Sequence, residues 1–163
     1  MLRIVDTESR ATVDDHLSIR VWLRLLACTN LIESRVAGGL RETFGTTLPR
    51  FDFLSQLERN PAGLRMNEIS KRMMVTGGNV THIAEQLLAE GLITRTVAPA
   101  DRRAAIVKLS AAGRRAFAEM AREHEGWIVE MFAGLDEADR ARLYAILAKL
   151  KRHLNSVESG HAR

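Results

Sequence analysis

Between Thr76 and Gln86 the chain carries short polar residues and glycines: Thr76, Gly77, Gly78, Asn79, Thr81, His82 and Gln86. Downstream lie Arg95 and the triplet Asp101, Arg102, Arg103. Hydroxyl, carboxamide and imidazole groups donate and accept hydrogen bonds, and guanidinium groups pair with phosphate. Such a set suits reading a polar edge beside a phosphate backbone better than breaking a bond. Glu123, His124 and Glu125 are the one acid–base cluster, yet no partner nucleophile accompanies them. The five histidines (His16, His82, His124, His153, His161) show no metal-ligand spacing with Cys or carboxylates. The sequence holds no glycine-rich phosphate loop, hydrolase elbow or HExxH. The expectation is a protein that is not an enzyme and uses no cofactor or metal.

The charge pattern points the same way. The chain has 163 residues and a net charge of +4. From Ala62 to Arg115 nine Lys/Arg face four acids, so this segment is basic and the remainder slightly acidic. A basic block between near-neutral flanks is the electrostatic footprint of a phosphate-binding surface, although a solvated charged face has the same composition. All eight aromatics lie outside the block. Single-stranded nucleic acid is bound on aromatic platforms, so the block favours duplex DNA. The proportions, 46% apolar and 27% charged, are those of a globular chain. No apolar run approaches a membrane span, no secretory leader is evident, and a single cysteine suits a reducing cytoplasm.

The elements that must position these groups are mostly helical. Leu17, Val21, Leu25, Cys28 and Ile32 form one stripe in a helix from about His16 to Phe44. Trp22, Leu23, Leu26 and Leu31 add apolar surface at other angles, more than one core needs, so part of this helix is expected to face another subunit. A short helix follows Pro49 with Phe51, Phe53, Leu54 and Leu57 inward, and Asn60-Pro61-Ala62-Gly63 stops it. Asn67 is placed to cap the next helix, with Ile69 and Met73 inward. Thr76 is placed to cap another that buries Val80, Ile83 and Leu87, and Gly91 gives its left-handed stop. The apolar period becomes two at Leu92–Val97 and Ala105–Leu109, predicting a β-hairpin whose long basic tip spans residues 98–104. Ser110 and Asp136 are placed to cap two last helices. The first carries Phe117, Met120, His124, Trp127 and Met131, and the second Leu143, Ile146, Leu147, Leu150 and Leu154.

Helix, tight turn, helix and basic hairpin compose a winged helix-turn-helix, in which a helix enters the major groove. The run GLRMNEISKRMMVTGGNVTHIAEQLLAEGLITR followed by PADRRAAIVKLSAAG resembles the MarR family of dimeric winged-helix regulators. Most specific is the wing: Asp101-x-Arg103, then Val107-x-Leu109-Ser110 and Gly113, after Gly91-Leu92-Ile93. The resemblance implies a mainly α fold in a single domain. Its DNA-binding lobe would span about 62–115, and its dimerisation helices about 12–48 and 116–157. It implies a homodimer on a pseudo-palindromic duplex, with Arg103 in the minor groove, Asp101 holding its guanidinium and Arg102 on phosphate. Gly77, Gly78 and His82 depart from residues common in the family, which bears on the base contacts rather than the mode.

The stretches LPRFDFLSQLER, MMVTGGNVT and HEGWI further resemble repressors that respond to hydroxycinnamoyl-CoA thioesters. That resemblance implies a small aromatic or aromatic acyl-CoA ligand. His16, Arg20 and Arg24, one line at i, i+4, i+8, would meet its phosphates, and Trp22, Leu26, Phe44, Phe51 and Phe53 its ring. A solvated cationic face is the other reading of that line. Cys28 offers an alternative switch by thiol oxidation, though its place on the apolar stripe predicts a packed core thiol.

Overall fold

The computed structural model describes residues 17–73, 77–98 and 101–161, with backbone alone at 77, 98, 101–104 and 157–161. Among the described residues six helices and three strands follow the order α1 (Leu17–Phe44), α2 (Leu48–Glu58), β1 (Leu64–Arg65), α3 (Met66–Met73), α4 (Gly77–Ala89), β2 (Ile93–Ala98), β3 (Asp101–Leu109), α5 (Ala111–Met131) and α6 (Glu137–His161). The mainly α, winged-helix reading holds. Two compact units meet within α5, one ending at Glu125 and the other starting at Gly126.

In the first unit the core is built by α2, α3, α4 and the sheet. Phe53, Leu54, Leu57, Ile69, Val80, Leu87 and Val107 are all but fully buried there. Pro49 starts α2 where its missing N–H costs nothing. After α2, Gly63 takes φ +92° and lies so close to β3 that a Cβ would stand 2.4 Å from Ile106 Cγ2 and 2.8 Å from the Val107 carbonyl oxygen. Glycine is required there twice over, by its backbone angle and by the close approach. The chain then adds β1, which pairs Leu64 with Val107 and Arg65 with Ile106 and makes β3 the central strand. Two residues are too few to show a period, so the sequence alone does not predict β1.

Helix boundaries follow the expected chemistry with one exchange. Arg65 N–H donates to Glu68 Oε2 at 2.7 Å, so the third residue of α3 reaches back to close its start. Asn67 lies inside the helix rather than capping it. At the end of α4, Gly91 takes φ +71°, and the Leu92 N–H bonds the Leu87 carbonyl at 3.0 Å, a left-handed stop as expected. Thr76 lies outside the described residues. Ser110 Oγ accepts the Gly113 N–H at 2.9 Å and so caps α5. In the second unit Asp136 Oδ1 accepts the Asp139 N–H at 2.7 Å and caps α6.

The hairpin differs from expectation. β2 pairs with β3 from Ile93↔Leu109 out to Ala98↔Asp101, with a register shift between Thr96 and Ala98. Asp101, Arg102 and Arg103 therefore stand on β3 and not on a long loop. The small and charged residues of 101–104 mask a period of two, while the backbone pairing continues regardless.

The stripe on α1 is not a core stripe. Only Val36 and Leu40 are buried on this helix. Leu17, Val21, Trp22, Leu26 and Leu31 are exposed, as is Cys28. The packed core thiol expected at Cys28 is thus corrected: the first unit's core begins two turns further along α1. Periodicity reports a face that avoids water without saying which body covers it. On α6, Tyr144, Ile146, Leu147, Leu150 and Leu154 are likewise exposed. Among the described residues no helix is long and apolar enough to cross a membrane.

Candidate nucleic-acid interface

Burial of Val80, Ile83 and Leu87 fixes the rotation of α4 and turns Gly78, Asn79, Thr81 and His82 outward. Gly77 opens the helix. Gln86 is half-buried and lies 3.1 Å from His82, between Gln86 Nε2 and His82 Nε2. The two residues are one turn apart on a single face, where i, i+4 partners meet. The α4 set is therefore brought together on one side, apart from Thr76.

Beside it stand cations from two further elements. Lys71 and Arg72 are exposed in the last turn of α3, and Arg72 donates to Asn60 Oδ1 at 3.3 Å. Arg95 is exposed on β2 opposite Val107. Asp101, Arg102 and Arg103 belong to β3 by backbone pairing, and their side chains lie outside the described residues. What the sequence reading missed here is the fixing of Arg72 by the α2 stop. An asparagine twelve residues upstream carries no periodic signal.

The ligand residues expected from sequence are not gathered in one place. Phe53 is wholly buried, and Phe51 stacks on Phe117 with centroids 5.4 Å apart and lies 5.0 Å from the His124 ring. Both serve the lobe's own core, because α2 is enclosed over a wide arc and its phenylalanines fill it. Phe44 lines a separate cavity at the end of α1. Trp22 and Leu26 are exposed on α1, and Arg20 and Arg24 line a shallow groove with Leu17 and Val21. His16 lies outside the described residues. Beside the Phe51 stack, burial pushes the Asp52 carboxyl above the usual carboxylate range. Glu33 adds to the rise, against the lowering effect of His124 and Arg59.

Residues 44–104 match the model of the MarR family. The chain is 25% identical over 139 residues to the uncharacterized HTH-type transcriptional regulator YdgJ of Bacillus subtilis, an alignment covering 85% of this chain and 75% of that one. A MarR family transcriptional regulator from Silicibacter pomeroyi superposes with a TM-score of 0.74 at 25% identity, covering 88% of this chain and 99% of that one. Sco3205 of Streptomyces coelicolor, solved in complex with DNA, superposes at 0.73 with 20% identity and covers 88% and 92% of the two chains. The family match across the helix-turn-helix and hairpin, the alignment over most of the chain and the order of its elements make this chain similar to the winged-helix transcriptional regulators of the MarR family.

Proposed function

We propose that the chain is a cytoplasmic, homodimeric repressor that binds duplex DNA and leaves it when a small aromatic effector binds. The observation that carries this reading is the outward face of α4, where Gly78, Asn79, Thr81 and His82 stand opposite a buried stripe. Short hydrogen-bonding groups on a helix face suit base edges, and Arg95, Arg102 and Arg103 of the hairpin suit the adjoining backbone and minor groove. The dimer reading is supported by the exposed apolar residues of α1 and α6. Two such α4 helices related by a two-fold axis read half-sites about 10 bp apart.

The test is operator binding with the wing altered. Arg103→Ala is expected to weaken binding by about 1–3 kcal/mol and to flatten its salt dependence. Unchanged affinity at physiological salt would remove the wing from the mechanism. A footprint over a single half-site would contradict the dimer.

For the effector, the reading is a hydroxycinnamoyl-CoA thioester held at the α1 face. Arg20 and Arg24 border apolar surface there, and Trp22 and Leu26 remain exposed on the same helix for the ring. Calorimetry is expected to show p-coumaroyl-CoA binding that weakens when Arg20 and Arg24 are replaced together. Release from DNA should need less thioester than free acid. The exposure of Cys28 favours a second reading, release by oxidation of its thiol. A Cys28→Ser variant that keeps its thioester response but loses all response to peroxide identifies that switch.

A further inference from the structure

Asn60, just past the end of α2, is held at three points by its own turn. Its N–H donates to the Leu57 carbonyl at 3.1 Å, its carbonyl accepts the Gly63 N–H at 2.8 Å, and its side-chain Nδ2 donates to the Gln56 carbonyl at 2.7 Å. The side-chain amide is thereby oriented, and its Oδ1 accepts Arg72 Nη1 at 3.3 Å from the last turn of α3. Arg72 is exposed and gives only one of its five N–H donors to this bond.

A cation in the last turn of a helix suits the helix dipole, but that holds equally for Lys71 and calls for no tie. Glu68, one turn before Arg72, has the spacing of an ion partner, yet its Oε2 accepts the Arg65 N–H at 2.7 Å. Among the described residues no carboxylate pairs with Arg72, so a neutral group holds it and leaves its charge uncancelled. A guanidinium is a planar fork that matches the oxygens of a phosphate, and a side chain already fixed loses less freedom on meeting one. α3 ends at Met73 and α4 begins at Gly77, so Arg72 stands just before the helix proposed to enter the groove, whose walls are phosphate. The Arg50–Glu90 ion pair joins the other end of α2 to the residue after α4, so α4 keeps a tie of its own when Asn60 is changed.

We infer that Arg72 contacts a DNA phosphate and that Asn60 is its positioning residue, holding the guanidinium in place before the duplex arrives. The inference rests on the proposed binding of duplex DNA. It assigns affinity, not base preference, to this pair, because a phosphate is the same at every step.

The experiment measures affinity and its salt dependence by fluorescence anisotropy, with the full chain and a duplex that the parent chain selects from a randomised library. Arg72→Gln is expected to weaken binding about tenfold and to flatten the salt slope by about one per chain. Asn60→Ala should weaken it about threefold with the slope kept, since the charge remains but is no longer held. The Asn60→Ala loss should vanish in the Arg72→Gln background and persist in the Lys71→Gln background. If alanine unfolds the turn, Asn60→Ser replaces it: its hydroxyl can serve the Gln56 carbonyl but is too short to serve Arg72 as well. Arg72→Gln with the parent's affinity and slope overturns the contact. An Asn60 variant that binds like the parent, or whose loss persists without Arg72, overturns the positioning role, because an asparagine that merely stops α2 acts whether or not Arg72 is present. A parent chain that selects no duplex refutes the DNA-binding reading and the contact with it.

Discussion

Gly113→Ala is expected to lower the unfolding free energy by about 3 kcal/mol or more, because α5 crosses the backbone of Leu92 without room for a methyl group. A Cβ at Gly113 would stand 1.8 Å from the Leu92 carbonyl oxygen and 2.8 Å from its carbon. Neither side can yield cheaply. The same oxygen accepts the Ser110 N–H at 3.0 Å, while Ser110 Oγ donates to the Gly91 carbonyl at 2.7 Å and accepts from Gly113 itself. Leu92 is held in turn by the stop of α4 and the pairing of Ile93 with Leu109. Moving α5 outward breaks its cap, and moving Leu92 breaks the α4 stop. Gly126→Ala is the matched comparison, since nothing lies within 4 Å of a Cβ there. In a helix interior that change should be neutral or stabilising by up to about 1 kcal/mol. Denaturant midpoints at one fixed protein concentration decide it. Equal midpoints for Gly113→Ala and the parent chain would show that the close approach is absent.

This junction shows what was legible in the sequence and what was not. Gly91 and Ser110 announced themselves as a helix stop and a helix cap, because those roles depend on the local backbone alone. The buried stripe of α4 was legible for a similar reason: Val80, Ile83 and Leu87 repeat at helical spacing, and the outward residues follow by subtraction. Gly113 was visible as part of a motif, but its reason, a carbonyl twenty-one residues upstream, is a tertiary contact. The Arg50–Glu90 pair left no trace either, since forty residues separate its members. Along α1 the period marks an apolar face without placing Cys28 in the core. Cys28 and Trp22 lie on apolar surface that the first unit's core does not cover. Aromatic content misled at Phe51 and Phe53, where composition offers a wall for a ligand and the fold spends both rings on itself.

The remaining large effect follows from that last point. Phe53→Ala is expected to destabilise the chain by about 3–5 kcal/mol, the range for emptying a fully enclosed aromatic site. Phe53 has no exposed surface and lies among Leu54, Leu57 and the other buried residues of the lobe, so its ring is replaced by a void that rigid neighbours only partly close. Trp22→Ala is the contrasting change. Trp22 is 59% exposed in the chain, so denaturation of the monomeric lobe should shift by less than about 1 kcal/mol. If a second copy covers α1, its loss is read instead as weaker dimerisation in sedimentation. A third variant separates packing from recognition. Phe53→Leu keeps most of the apolar volume and should fold with a smaller loss. Its affinity for p-coumaroyl-CoA should equal the parent's, because a ring with no accessible surface cannot touch the ligand. A folded Phe53→Leu chain with weakened thioester binding would return Phe53 to the effector site and show that the lobe opens there to admit it.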